Sequence, residues 1–127
     1  MPSLDTQIWK TARLTIEREE SDIDGMIFRF SGPFTTRDLH HSLSPLTVQS
    51  IFEPVPANRL PAKQVFDLTE VPYMDSLGLG MLVSHSVRCQ RKGIAFEITG
   101  LSPRVQELFR LTKMENVLPV AELQKLD

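Results

Sequence analysis

Tyr73-Met74-Asp75-Ser76-Leu77-Gly78-Leu79-Gly80 is the stretch on which the reading of this chain turns. An apolar run, Gln64 to Leu68, leads into it, and an amphipathic run, Leu79 to Lys92, leads out. The first reads as a strand and the second as a helix, because the apolar spacing changes from continuous to three-and-four. A serine at such a strand-to-helix turn is exposed where the backbone N–H groups of the helix point outward. Function is expected to concentrate there, with the remaining chain as the platform. The bland role for Ser76 is a helix cap, worth about 1 kcal/mol.

Working outward, Lys92-Gly93 closes the helix with a cation and a glycine. Ile94 to Ile98 reads as the next strand, closed by Thr99-Gly100. Ser102-Pro103 opens another helix, serine as cap and proline in the first position. Val105, Leu108, Phe109 and Thr112 mark its inner face. Asn116 to Val120 reads as a short edge strand, where a proline is tolerated, and Ala121 to Leu126 as a last helical turn or two.

Before the central stretch, Met1 to Lys10 reads as a polar lead-in with the only tryptophan, Trp9, packed for cover. Leu14, Ile16 and Arg18 alternate with Thr15 and Glu17, the pattern of a half-buried strand. Asp24-Gly25 marks a reversal, and Met26 to Phe30 returns as its antiparallel mate. Thr35 or Thr36 caps a helix starting at Arg37-Asp38, with Leu39, Leu43 and Leu46 near one face. Ser44-Pro45 either kinks that helix or starts another. Residues 53–63 carry three prolines and read as an extended, semi-rigid loop. An antiparallel N-terminal pair followed by alternating helix and strand gives one α/β domain over residues 1–127, with a mixed, mostly parallel sheet and helices packed on it. The central turn lies at the carboxyl edge of the parallel strands, where such sheets meet ligands and partners.

Bulk properties exclude several classes. The chain has 127 residues, 41% hydrophobic and 24% charged, with net charge -2. That is one ordinary globular core with no broad attraction to nucleic acid or anionic membrane. Cys89 is the only cysteine, so no internal disulfide forms, which suits a reducing compartment. No apolar run approaches the roughly 20 residues of a membrane span, and the N-terminus lacks the pattern of a signal peptide. A cytoplasmic protein is expected. His40, His41 and His85 show no metal spacing, and Glu19, Glu20, Asp22 and Asp24 lack the glycine-centred spacing of a calcium loop. Neither a metal nor a cofactor is expected. No nucleophile, base and acid set can be assembled, so an enzyme is not expected.

Phe66-Asp67-Leu68, Tyr73-Met74-Asp75-Ser76 and Gly78-Leu79-Gly80 resemble the central motif of the STAS domain, shared by sulfate transporters and bacterial anti-sigma factor antagonists. Ile98-Thr99-Gly100-Leu101-Ser102-Pro103, followed by Val105, Leu108-Phe109 and Leu111, is similar to the family's third helix and its approach. The likeness spans roughly Leu14 to Val120 and is strongest from Val65 to Leu111. It departs at Leu77, where the family often has a small hydroxyl residue, and at Gly32-Pro33-Phe34-Thr35, which lacks an acid.

The resemblance implies a non-enzymatic regulator that switches partners. In stand-alone members the serine after the motif aspartate, here Ser76, is phosphorylated by a serine kinase of histidine-kinase-like fold that doubles as an anti-sigma factor. A PP2C-type phosphatase resets it. The expected contact surface is Thr35, Thr36, Arg37, Asp75, Leu77, Gly78 and Met81. Leu77, Met81, His85 and Arg88 are read as the outward side of the helix, and Leu79, Leu82, Val83, Ser86 and Val87 as its inward stripe. Two alternatives stay open: an unphosphorylated STAS module in a larger signalling or lipid-transport assembly, and a nucleotide- or phosphate-binding protein built on the same glycines, with Glu97 near the distance of a ribose-binding acid.

Overall fold

The computed structural model describes residues 6–20, 25–40, 51 and 63–121. The Asp24 reversal, the Ser44-Pro45 segment, nearly all of the proline-rich loop and the final helical turns lie outside the described residues.

Five strands form one mixed sheet whose spatial order is the chain order: β1 (Thr6–Lys10), β2 (Thr15–Glu20), β3 (Gly25–Ser31), β4 (Lys63–Glu70) and β5 (Ala95–Leu101). The first two pairings are antiparallel and the last two parallel. Among the described residues the helices are α1 (Thr36–His40), α2 (Ser76–Lys92) and α3 (Pro103–Leu111), followed by a short 3-10 turn, Met114–Asn116. The architecture is the expected α/β domain, with one strand more at its start. Thr6–Lys10 is not a lead-in but an edge strand paired with β2, Trp9 lying opposite Ile16. Only a partner strand reveals it, since five residues carry too little alternation to stand out.

Alternation in β2 and β3 sorts the residues onto two faces. Arg18, Phe28, Phe66 and Ile98 stand in one row across the sheet, and Ile16 and Phe30 in the next. These residues are almost fully buried and form the core with Leu39 of α1, Leu79 and Leu82 of α2, and Val105 and Phe109 of α3. Phe28 and Phe30 each meet Phe66 with ring centroids 5.0 Å apart, in tilted geometries that favour aromatic pairs. Arg18 sits among them because its guanidinium is satisfied. It donates to the Ile51 carbonyl at 2.9 Å and to Gln7 Oε1, and lies over the Trp9 ring. On the opposite face Arg29 pairs with Glu19 at 3.1 Å and Lys63 with Glu97 at 3.0 Å. The side chain that a ribose would require is therefore engaged in a cross-strand ion pair.

α2 is rotated relative to the expected stripe. Gly78, Leu79, Leu82, His85 and Cys89 are buried, whereas Val87 is exposed. His85 faces inward, against the expectation that placed it outside with Leu77, Met81 and Arg88. Its Nε2 lies 2.7 Å from Gln64 Oε1, and its ring stacks on Phe66 at 4.8 Å. Gln64, itself buried on β4, gives the imidazole the polar partner that makes burial tolerable. Gly93 caps the helix in the left-handed conformation, its N–H bonding the Cys89 and Gln90 carbonyls. α3 begins as expected: Ser102 accepts from the Val105 amide while donating to the Val71 carbonyl at 2.6 Å. The expected edge strand Asn116 to Val120 shrinks to one bridge, Val120 beside Ile98, because the preceding residues close into the 3-10 turn.

Candidate functional site

Two loops run side by side at the carboxyl edge of the parallel strands. One joins β3 to α1 and the other joins β4 to α2. Phe34 and Met74 form a bridge between them, with the Phe34 amide donating to the Tyr73 carbonyl at 3.1 Å. The chains approach so closely that a Cβ on Gly78 would lie 2.2 Å from the Phe34 carbonyl oxygen. Gly78 thus makes room for the protein's own backbone. Gly80 faces open space.

Asp75 is the cap of α2, and Ser76 is its first helical residue, which corrects the reading of Ser76 as cap. Asp75 Oδ1 accepts from the Gly78 amide at 3.0 Å. Its Oδ2 accepts from the Thr36 amide at 2.8 Å and the Thr36 hydroxyl at 2.9 Å. One carboxylate therefore caps α2 and ties down the start of α1. Partial burial would raise its pKa, but the donors from Gly78, Thr36 and Leu77 outweigh burial and hold it below the usual carboxylate value. Replacing Asp75 with alanine removes the cap and the link together. Urea unfolding should show a loss of about 1–2 kcal/mol, whereas Ser76→Ala should change stability by less than about 0.5 kcal/mol, as for an exposed side chain free of the cap role.

The other expected contact residues are placed as follows. Ser76 and Arg37 are exposed, Leu77 is half-buried, and Met81 is half-buried against the core. Thr35 is buried at 8% exposure, and its hydroxyl donates to Asp38 Oδ2 at 2.5 Å. It also accepts from the Asp38 amide at 3.4 Å, so Thr35 rather than Thr36 caps α1. The chain fold brings Thr36, Arg37, Asp75, Ser76 and Gly78 to one edge from segments about forty residues apart.

A supporting network escaped sequence reading. Arg13, from the turn between β1 and β2, holds Asp38 with two bonds of 2.9 and 3.0 Å and donates to the Tyr73 hydroxyl at 3.2 Å. Arg104 of α3 lies over the Tyr73 ring at 5.1 Å. Burial alone would raise the Asp38 pKa, but Arg13 and Thr35 pull it below its usual value. Positions 13, 38, 73 and 104 share no spacing or motif, so nothing in the sequence alone links them.

Among the described residues, no group of three or more His, Cys, Asp or Glu side chains could hold a metal ion. No helix among them is long and apolar enough to cross a membrane.

Comparison with known proteins follows the same lines. The STAS domain family model matches residues 14–124. An anti-sigma-B factor antagonist of Listeria monocytogenes is 34% identical over 58 residues, 46% of this chain and 51% of that protein. The namesake from Listeria innocua matches equally. The chain thus aligns with about half the length of these curated relatives. Among solved structures, an anti-sigma factor antagonist from Mycobacterium paratuberculosis superposes with TM-score 0.61 at 17% identity, covering 96% of this chain and 88% of that one. A sulfate transporter family protein from Wolinella succinogenes gives 0.59 at 18% identity over 77% and 76%. The antagonist SpoIIAA in its unphosphorylated form gives 0.53 at 15% identity over 95% and 91%. At these identities the structures speak for the fold, while the family match covers most of the chain. The chain belongs to the STAS domain family.

Proposed function

We propose that this chain is a cytoplasmic, non-enzymatic anti-sigma factor antagonist that changes partners when Ser76 is phosphorylated. Its kinase is an anti-sigma factor of histidine-kinase-like fold, and a PP2C-type phosphatase restores the free hydroxyl. Thr35, Thr36, Arg37, Asp75, Leu77, Gly78 and Met81 form the docking region, Thr35 and Gly78 by shaping it from beneath. The observation that carries this reading is the division of labour at α2: Asp75 caps the helix, which leaves the Ser76 hydroxyl exposed and spare. Phosphate adds about -1.5 to -2 charges and three acceptor oxygens. A helix N-terminus tolerates that charge, but a close, partly apolar contact does not.

The test is a pull-down from native lysate with wild-type and Ser76→Glu baits, both confirmed folded by circular dichroism. Wild type should retain a histidine-kinase-like protein, and the glutamate should reduce its capture at least about tenfold with a melting temperature within ~3 °C of wild type. A large fall in melting temperature would sink the switch. A second reading, a STAS module held constitutively in a larger signalling or lipid-transport assembly, draws on the sulfate transporter family neighbour. It expects both baits to hold the same partners.

A further inference from the structure

Asp75 serves two loops with one carboxylate, and the residue next to it is the proposed phosphate acceptor. We propose that phosphorylation of Ser76 opens the Asp75–Thr36 link, so that the start of α1, with Arg37, becomes part of the switched surface. This rests on the reading of Ser76 as acceptor and adds its structural consequence.

The argument is one of competition for donors. Asp75 Oδ2 is held by two donors from Thr36, and Oδ1 by the Gly78 amide. Ser76 occupies the first position of α2, and helical side chains lean toward the N-terminus, toward Asp75 and the free amides. A phosphoryl group there brings three acceptor oxygens and a second negative charge beside an ionised carboxylate. Like charges at that spacing repel, and the phosphate competes for the same N–H groups. The Oδ1 contact lies within the helix turn that Asp75 caps. The Oδ2 contact crosses to another segment, at a Thr36 that is itself exposed. The cross-loop bond is therefore the one that yields. Its neighbour, the Phe34 amide on the Tyr73 carbonyl, is backbone to backbone and flanked by buried Phe34 and Met74, so the bridge beneath stays closed.

Protein carrying phosphoserine at position 76 by genetic encoding needs no kinase, so this test succeeds or fails independently of whether a cellular kinase exists. Amide exchange by NMR is compared for three samples: wild type, the phosphoserine form and Asp75→Asn. The Thr36 amide should exchange at least about tenfold faster in the phosphoserine form, with the Phe34 and Ile98 amides unchanged. Asp75→Asn should speed Thr36 exchange without phosphate, since an amide oxygen is the weaker acceptor. Unchanged Thr36 protection in the phosphoserine form would overturn the proposal. So would equal acceleration at Phe34 and Ile98, which would signify general loosening.

Discussion

Gly78→Ala is expected to lower the melting temperature by roughly 10 °C, a loss of about 2–4 kcal/mol, although alanine is the better helix former. In an open helix the exchange would be worth up to about 1 kcal/mol in the other direction. Here the new methyl would lie 2.2 Å from the Phe34 carbonyl oxygen and 2.9 Å from the Phe34 ring. Neither can retreat easily. The backbone of Phe34 is bonded to Tyr73, and its ring is 1% exposed against Phe30. Either the start of α2 or the β3–α1 loop must move, and the two are joined through Asp75. Gly80→Ala is the control. Nothing lies within 4 Å of its added Cβ, so the variant should be neutral or stabilised by up to about 1 kcal/mol. Calorimetry on the pair separates the two glycines of one motif. Equal responses would mean that the close approach at Phe34 is absent in solution.

Acid should weaken the fold well before the carboxylates titrate. His85 is 5% exposed, and burial, with lesser contributions from Arg88 and Lys92, pulls its pKa from 6.5 down to about 4. The folded state therefore holds the imidazole neutral, bonded to Gln64, stacked on Phe66 and in a T-shaped contact with Phe96. Cys89 beside it stays a thiol, its pKa pushed up to about 11 by burial. A histidine with a depressed folded pKa favours folding above 6.5. It gives up that contribution as pH falls toward 4, because the unfolded chain takes the proton first. The displacement corresponds to roughly 3 kcal/mol. Urea unfolding should show a decline of roughly 2–3 kcal/mol between pH 7 and pH 4.5. In His85→Phe that slope should largely vanish, while stability at pH 7 falls because Gln64 Oε1 loses its 2.7 Å contact with the imidazole and keeps only the longer one to Cys89 Sγ. An unchanged slope in the variant would place the titrating group elsewhere. Asp38 and Asp75, both below their usual pKa, add their own losses only at lower pH.

His85 also shows where sequence reading reached its end. A polar ring on a helix is assigned outward by periodicity, and the apolar residues Val83 and Val87 drew the stripe toward themselves. The buried face instead follows 78, 82, 85 and 89, at spacings of four and three. That choice was made by Gln64, twenty-one residues away and reachable only through the sheet. The Ser76 cap went the same way. Aspartate and serine both cap helices, and only the turn geometry gave the role to Asp75.

Strands β2 to β5, helices α2 and α3, the Ser102 and Gly93 caps and the carboxyl-edge turn were determined by local sequence alone. Alternation, three-and-four spacing and capping chemistry act within a few residues and leave direct traces. The tertiary structure decided the pairing of β1, the rotation of α2, the Arg13–Asp38–Tyr73 network and the sharing of Asp75 between two loops. Each depends on a partner distant in the chain, found by register, close packing and the need to satisfy buried polar groups. A single sequence carries the residue types for those contacts without any spacing that couples them.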